Sequence, residues 1–243
     1  MFGFTCRHLW FVPRWWICVL TVGTVWLFTR LGLWQLHRAH EKEQMLSASQ
    51  AFAKQSPMVW QGTRVLPTQY QQIKVQGRFL SKIFLYDNQH HQHQFGYHVI
   101  SPLYLGHDQV VLIDRGWVLG DISRRTFPVV KIPVGVSNIV GCVYYPSEKN
   151  WILGPIIEQK QKDLAVVEQV DTQLISQILH KSVYPFIIRL GPEEANGYVR
   201  EWSIVSMPPL RHYAYALQWF AMAAVVLILF VSLNIKYRVK GPE

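Results

Sequence analysis

Residues 213–235 contain no charged side chain, and nothing else in the chain limits its fold so strongly. A helix rises about 1.5 Å per residue, so about 20 apolar residues cross a hydrocarbon core of about 30 Å. Residues 212–235 are therefore expected to form a transmembrane helix. A second apolar stretch covers 15–35, after a start that carries Arg7 and Arg14 and no acid. It lacks the small-x-small cleavage site of a secretory signal peptide, which makes it an uncleaved first span. Arg30 opposes this reading, because an arginine at the centre of an isolated span costs about 2.5–3.5 kcal/mol on insertion scales. Near the outer end of the helix its long side chain reaches the interface.

Five segments follow: a tail at 1–14, a span at 15–35, a polar region at 36–211, a span at 212–235 and a tail at 236–243. Arg7 and Arg14 precede the first span, while Lys236, Arg238 and Lys240 follow the second. The positive-inside rule then puts both termini in the cytoplasm and the central region outside. The N-terminus has no Arg- and Ser-rich amphipathic transit region, so a bacterial inner (plasma) membrane with a periplasmic domain is the expected setting. The lipid bilayer is thus one partner. The net charge of +9 comes from scattered basic residues, with no stripe and no recognition motif, which argues against nucleic acid. Cys6, Cys18 and Cys142 lie in separate parts of the chain and supply no disulfide framework. Cys142, in a strand-like apolar stretch, reads as a small core residue.

Between the spans the pattern changes. Helix continues out of the first span through about residue 46, with Trp34, Arg38 and Lys42 at steps of four along one side. A linker around 55–58 and 66–68 gives way to segments rich in Val, Ile, Tyr and Phe at 70–80, 83–87, 96–105 and 109–118. Short turns at 81–82 and 105–108 suit an antiparallel meander with one buried face. A further strand pair is expected at 136–145 and 186–190. Residues 171–180 place apolar side chains at 174, 175, 178 and 179 behind a capping Asp171, a helix able to cover an open sheet face. The fold class is two transmembrane helices flanking an external α+β domain built mainly on an antiparallel sheet.

No hydrolase, phosphate-loop, zinc-protease or CxxC motif occurs, and no enzymatic activity is expected. Asp87, Asp108, Asp114 and Asp121 are scattered and read as caps and turn formers. His90, His91 and His93 form the most conspicuous cluster. Imidazoles bind copper or zinc, and on an extended segment His91 and His93 project to one side. The competing reading is a polar loop between strands. His98, alone on an apolar strand, reads as a hydrogen-bonded core histidine. Gly116 in the stretch 113–118 suggests a bulge or a close backbone approach, with a structural role for Arg115 and Trp117. At the mouth of the second span, His212, Tyr215, Ala216 and Trp219 share one helical face. That face suits a flat amphipathic ligand or a neighbouring helix.

Four groups occur in order. They are Leu31, Gly32, Trp34, Gln35, Arg38 and Lys42; then Asp87 and Asn88 with Phe95, Gly96, Tyr97, His98, Val99 and Pro102. Residues 113–118 and the set His212, Tyr215, Ala216, Trp219 and Phe220 complete them. Together they resemble the surfeit locus protein 1 family of cytochrome c oxidase assembly factors, over nearly the whole chain. Arg211 departs from the pattern, since many members place Asn there. The resemblance implies a membrane chaperone of respiratory-chain biogenesis that binds haem a as cargo and presents it to cytochrome oxidase subunit I. It further implies haem a synthase and other assembly factors as partners. His212 would then ligate the haem iron, Tyr215 and Trp219 would flank the ring, and Arg38 and Trp34 would meet its propionate edge. Arg30 and Arg211 are further candidates for the propionates, and Gly23 and Gly32 would let the helices approach. Alternatives are a haem-free scaffold for oxidase subunits and a periplasmic copper-handling protein using His90, His91 and His93.

Overall fold

The computed structural model describes residues 5–6, 9–62, 65–146 and 154–237. The chain divides into two compact units, one from 1–47 and 204–243, the other from 48–203. In chain order the elements are β1 (Thr5–Cys6), β2 (Leu9–Phe11), α1 (Trp15–Ala53), β3 (Met58–Val59), β4 (Gln72–Phe79), β5 (Ile83–His91) and β6 (Gln94–Gly106). There follow β7 (Gln109–Leu119), β8 (Val136–Tyr144), β9 (Ile157–Gln161), β10 (Leu164–Val167), α2 (Thr172–Leu179), β11 (Ser182–Leu190), α3 (Pro209–Asn234) and β12 (Ile235–Tyr237).

The first unit is a helix pair. Both helices are long and apolar enough to cross a membrane. At 39 residues α1 extends about 58 Å, roughly twice a hydrocarbon core, so its polar C-terminal half runs beyond the span. It continues to Ala53, further than the pattern through 46 suggested, because no proline interrupts it before Pro57. On α3, Pro209 opens the helix at a position where the missing N–H costs nothing. Phe28 meets Trp219, Gly32 meets Phe220 and Gln35 meets His212, which makes the helices antiparallel. The buried residues are mostly small: Gly32 and Ala39 on α1, Ala216 and Ala223 on α3. Such residues let two backbones approach where lipid offers no hydrophobic drive to associate. Gly32 has this role, since a Cβ there would stand 2.6 Å from the Phe220 ring, whereas Gly23 has nothing within 4 Å.

At the other end of the pair, β12 runs antiparallel to β2, with Lys236 opposite Trp10, and β2 to β1. The small sheet joins residues 9–11, expected as part of a tail, to residues 235–237 at the end of the second span. Of the cations used for orientation, Arg7, Arg238 and Lys240 lie outside the described residues.

The second unit is a mixed sheet, predominantly antiparallel. Strand β4 pairs with β8, β8 with β11, β11 in parallel with β7, and β7 with β6. β6 returns to β4 through Tyr104 opposite Arg78 and Leu103 opposite Phe79. These five strands close into a barrel, which removes their free edges. Ile73, Val75, Leu103, Val111, Ile113, Ile139, Val143, Phe186 and Ile188 fill it, with Trp60 packed among them. β5, parallel β10 and β9 extend the sheet from the first half of β6.

Two sequence expectations need correction. β4 and β5 are not a hairpin: both pair with β6, β5 over residues 94–100 and β4 at 103–104, because a strand of 13 residues has room for two neighbours end to end. Nor is only one face buried. β7 is buried from Val110 to Trp117, with the barrel interior on one face and Phe84, Ile100, Leu112, Ala165 and Ile187 clustered on the other. α2 covers that second cluster through Ile175, with Asp171 accepting the N–H groups of Gln173 and Leu174 as its cap.

Most buried polar groups of this unit have partners, Arg189 Nε being an exception. Arg115, 2% exposed, donates from Nε to Asn196 O at 2.9 Å and from a terminal nitrogen to Lys131 O at 2.9 Å, tying two crossing segments to β7. Burial lowers the pKa of its guanidinium. Gly116 (φ +110°) permits a close approach, because a Cβ there would sit 2.6 Å from Val199 O. Asp87 and Asp114, expected as turn formers, are buried strand residues instead: Asp87 pairs with Arg124 at 2.7 Å and Asp114 with His98 at 2.9 Å. Buried carboxylates require such partners. Cys142 is half-buried, its thiol bonded to Tyr70 O and its pKa raised by burial.

Candidate functional site

The helix pair carries a part-buried polar contact between α1 and α3. His212, in the first turn of α3, is 9% exposed. Its Nδ1 lies 2.7 Å from Oε1 of Gln35 on α1. An amide oxygen only accepts, so Nδ1 carries the proton and donates. The neutral ring then has its lone pair on Nε2. That atom is buried and has no hydrogen-bond partner. A buried polar atom without a partner costs about 1–3 kcal/mol, so this one is an unsatisfied donor of electron density held in a fixed direction. Imidazole with Nδ1–H anchored and Nε2 bare is the usual state of a metal-ligating histidine. The residues present therefore fit an axial ligand for iron.

The other candidates stand around this centre unequally. Ala216 is buried one turn below His212, and Trp219 packs against Phe28 with ring centroids 5.5 Å apart. Tyr215 is 42% exposed, on the outer flank of α3. The shared face predicted for His212, Ala216 and Trp219 is thus the face turned to α1, and Tyr215 lies at its margin. Trp34 and Arg38 are brought together, the guanidinium 5.8 Å from the indole centroid, on an exposed flank of α1. Arg38 also pairs with Glu41 at 2.8 Å. Arg30 and Arg211 are exposed. Gln35 belongs to the first motif group but has no site role in the sequence reading; nothing in the pattern of one helix says which residue of another will face it.

The histidine-rich segment is a hairpin rather than an extended ligand strand. Gln92 and His93 have φ of 48° and 63°, the left-handed pair of a two-residue turn between β5 and β6. His91 and His93 consequently do not project along one strand face. His90 packs on Phe95 and His91 on Trp117, with Glu201 3.6 Å from the His91 ring. Among the described residues no group of three or more His, Cys, Asp or Glu is placed to hold a metal ion. The copper set His90, His91 and His93 is not assembled.

The sequence model of the SURF1 family matches residues 22–224, from the first apolar helix to the last. The chain belongs to the SURF1 family. This is a family of oxidase assembly factors, and with two apolar helices the chain is a membrane protein of that family. It is similar to a SURF1-like protein of Rickettsia felis, 29% identical over 217 residues, which cover 86% of this chain and 92% of the relative. A SURF1-like protein of Rickettsia conorii is 27% identical over 222 residues, covering 88% and 89%. That of Rickettsia prowazekii is 28% identical over 225 residues, covering 87% of each chain.

Proposed function

We propose that this SURF1-family chain binds haem a as cargo and presents it to subunit I of a cytochrome oxidase, with no turnover of its own. The observation that carries the reading is Nε2 of His212: buried, unpartnered and fixed by Gln35 in the tautomer that ligates iron. Bound haem would supply an axial coordination position, apolar faces and two propionates. Tyr215 and Trp219 offer aromatic surface one and two turns along α3 from the histidine. Arg38, exposed and held only by an exposed pair with Glu41, is free to exchange that partner for a propionate, with Trp34 stacked behind it. An unsatisfied nitrogen and a weakly held cation are both suited to reversible capture, which a carrier needs more than tight retention. Orientation follows the positive-inside argument: both termini cytoplasmic and residues 36–211 periplasmic in a bacterial inner membrane.

The test is the absorption spectrum of the full chain purified from cells that make haem a. A haem band lost in His212→Ala supports the proposal. Full haem occupancy in His212→Ala refutes the ligand. A wild-type protein that never carries haem yet restores oxidase assembly supports a scaffold acting on oxidase subunits alone.

A further inference from the structure

The second unit holds a polar site that haem carriage does not use. A cavity of about 230 Å³ is lined by Gln89, His98, Asp114, Tyr144, Gln169 and Arg189, among others. Its permanent cation is Arg189 on β11. The guanidinium carbon lies 3.6 Å from the Tyr144 centroid and 5.5 Å from that of Trp202. Trp202 is itself fixed by an N–H bond to Leu190 O at 3.0 Å. With its plane stacked in this way, the guanidinium has only its edge left for hydrogen bonding. That edge is poorly used: Nε is buried without a partner, and one terminal nitrogen reaches Ser203 O at 3.5 Å, the limit of a hydrogen bond.

The carboxylate in the lining is committed elsewhere. Asp114 is 3% exposed and already engaged, accepting from His98 at 2.9 Å and from the Gly116 N–H at 3.1 Å. Asp114 in turn orients the His98 ring on the cavity wall, where it also packs on Trp202 at 5.4 Å. What remains is the poorly used edge of one guanidinium and apolar wall from Tyr144, Val170 and Ile187.

We infer that this cavity binds a carboxylate with a small apolar body, held by the Arg189 fork beside the His98–Asp114 pair. A planar guanidinium whose faces are occupied matches a carboxylate edge-on. The Arg189 fork matches a monoanion; a phosphate near −2 would call for a second cation, and among the described lining residues there is no other Arg or Lys. The volume is below the 300–1,000 Å³ of drug-sized sites, which limits the ligand to about one residue's bulk. A free small acid and the C-terminal carboxylate of a partner polypeptide share this chemistry.

The full chain in detergent is titrated calorimetrically with 3-phenylpropionate, with its amide, with an acetylated tripeptide ending in phenylalanine as the free acid or the amide, and with inorganic phosphate. Saturable binding of an acid but not of its amide is expected, weakened at least about tenfold in Arg189→Gln. A small acid binding more tightly than the peptide identifies a free metabolite; the reverse identifies a polypeptide terminus. Arg189→Lys keeps charge while losing the fork, and should weaken binding even if the Gln variant does not fold. Equal affinity in a folded Arg189 variant, equal binding of acid and amide, no saturable binding of either acid, or tighter binding of phosphate overturns the assignment.

Discussion

Replacing Gln35 with leucine separates the role of His212 as a ligand from its role in helix packing. Leucine is close to glutamine in bulk and suits the interface, so the helix pair should survive. The effect on the ring depends on state. In the free protein, His212 without its acceptor is not held by iron and can turn its N–H toward water at the mouth of the span, so little is lost. With iron on Nε2 the proton must be on Nδ1, and in Gln35→Leu that buried N–H has no acceptor. The penalty of about 1–3 kcal/mol for an unmet donor then falls on the bound state alone, equivalent to roughly 5- to 150-fold in affinity. Loss of an outer partner of a metal-bound histidine typically costs about 10–100-fold, the same range. Gln35→Glu keeps an acceptor at the position now 2.7 Å from Nδ1 and should retain binding. The assay is a titration of haem into the apo protein in detergent, followed by absorbance, with His212→Ala as the baseline. Equal affinity in wild type and Gln35→Leu, while His212→Ala binds nothing, would show that the tautomer is not set by Gln35.

Further outcomes follow from contacts elsewhere. Arg115→Met strips the buried bonds to Asn196 and Lys131 and leaves two carbonyls unmet, so the sheet unit should lose about 3 kcal/mol, seen as a melting point lower by about 6–12 °C. An unchanged melting point would mean that water replaces the guanidinium. Gly32→Val forces a Cβ to within 2.6 Å of the Phe220 ring, and the helix pair should lose about 1–3 kcal/mol, recovered in part by Phe220→Ala in a double-mutant cycle. Asp121 has its pKa lowered from 3.8 to about 2, first by the Ser123 hydroxyl, then by the backbone N–H of Ser123 and the groups of Thr126. Because the folded value is the lower one, its stabilisation is complete above about pH 4 and disappears as pH falls toward 2. The melting-point gap between wild type and Asp121→Asn should close over that window, and a constant gap would disprove the linkage.

Much of the architecture was legible because it rests on local periodicity. The two apolar runs, the strands at 109–118 and 136–145 and the capped helix behind Asp171 each declare themselves within about ten residues. What was missed depends on pairing at a distance. β10 is four apolar residues between polar stretches, too short to distinguish from loop, and is a strand because parallel β5 lies beside it. The absent β4–β5 hairpin is the same case: residues 81–82 look like a turn whether the strands they join pair with each other or with a third. Barrel closure likewise rests on Leu103 and Tyr104 of β6 reaching Phe79 and Arg78. Asp87 and Asp114 looked like turn formers because a buried acid is recognisable only once its cation or imidazole is known.

The same limit governs the site. His212, Tyr215, Ala216 and Trp219 read as one face of α3; His212, Ala216 and Trp219 turn to α1, while Tyr215 is 42% exposed at the margin. On α1 the sequence points to Trp34, whose neighbour Gln35 leaves the helix about 100° away, so only one of the two can face α3. Trp34 attracts notice as an aromatic residue at an interface beside Arg38, and in the structure it is 51% exposed, on the outer flank. Gln35, a commonplace polar residue, is the one that decides which nitrogen of His212 is bare. A histidine read from its own helix can be named as a ligand candidate; whether it can act as one is set by the partner that holds its other nitrogen, and that partner is fixed by the packing of two helices 177 positions apart in the chain.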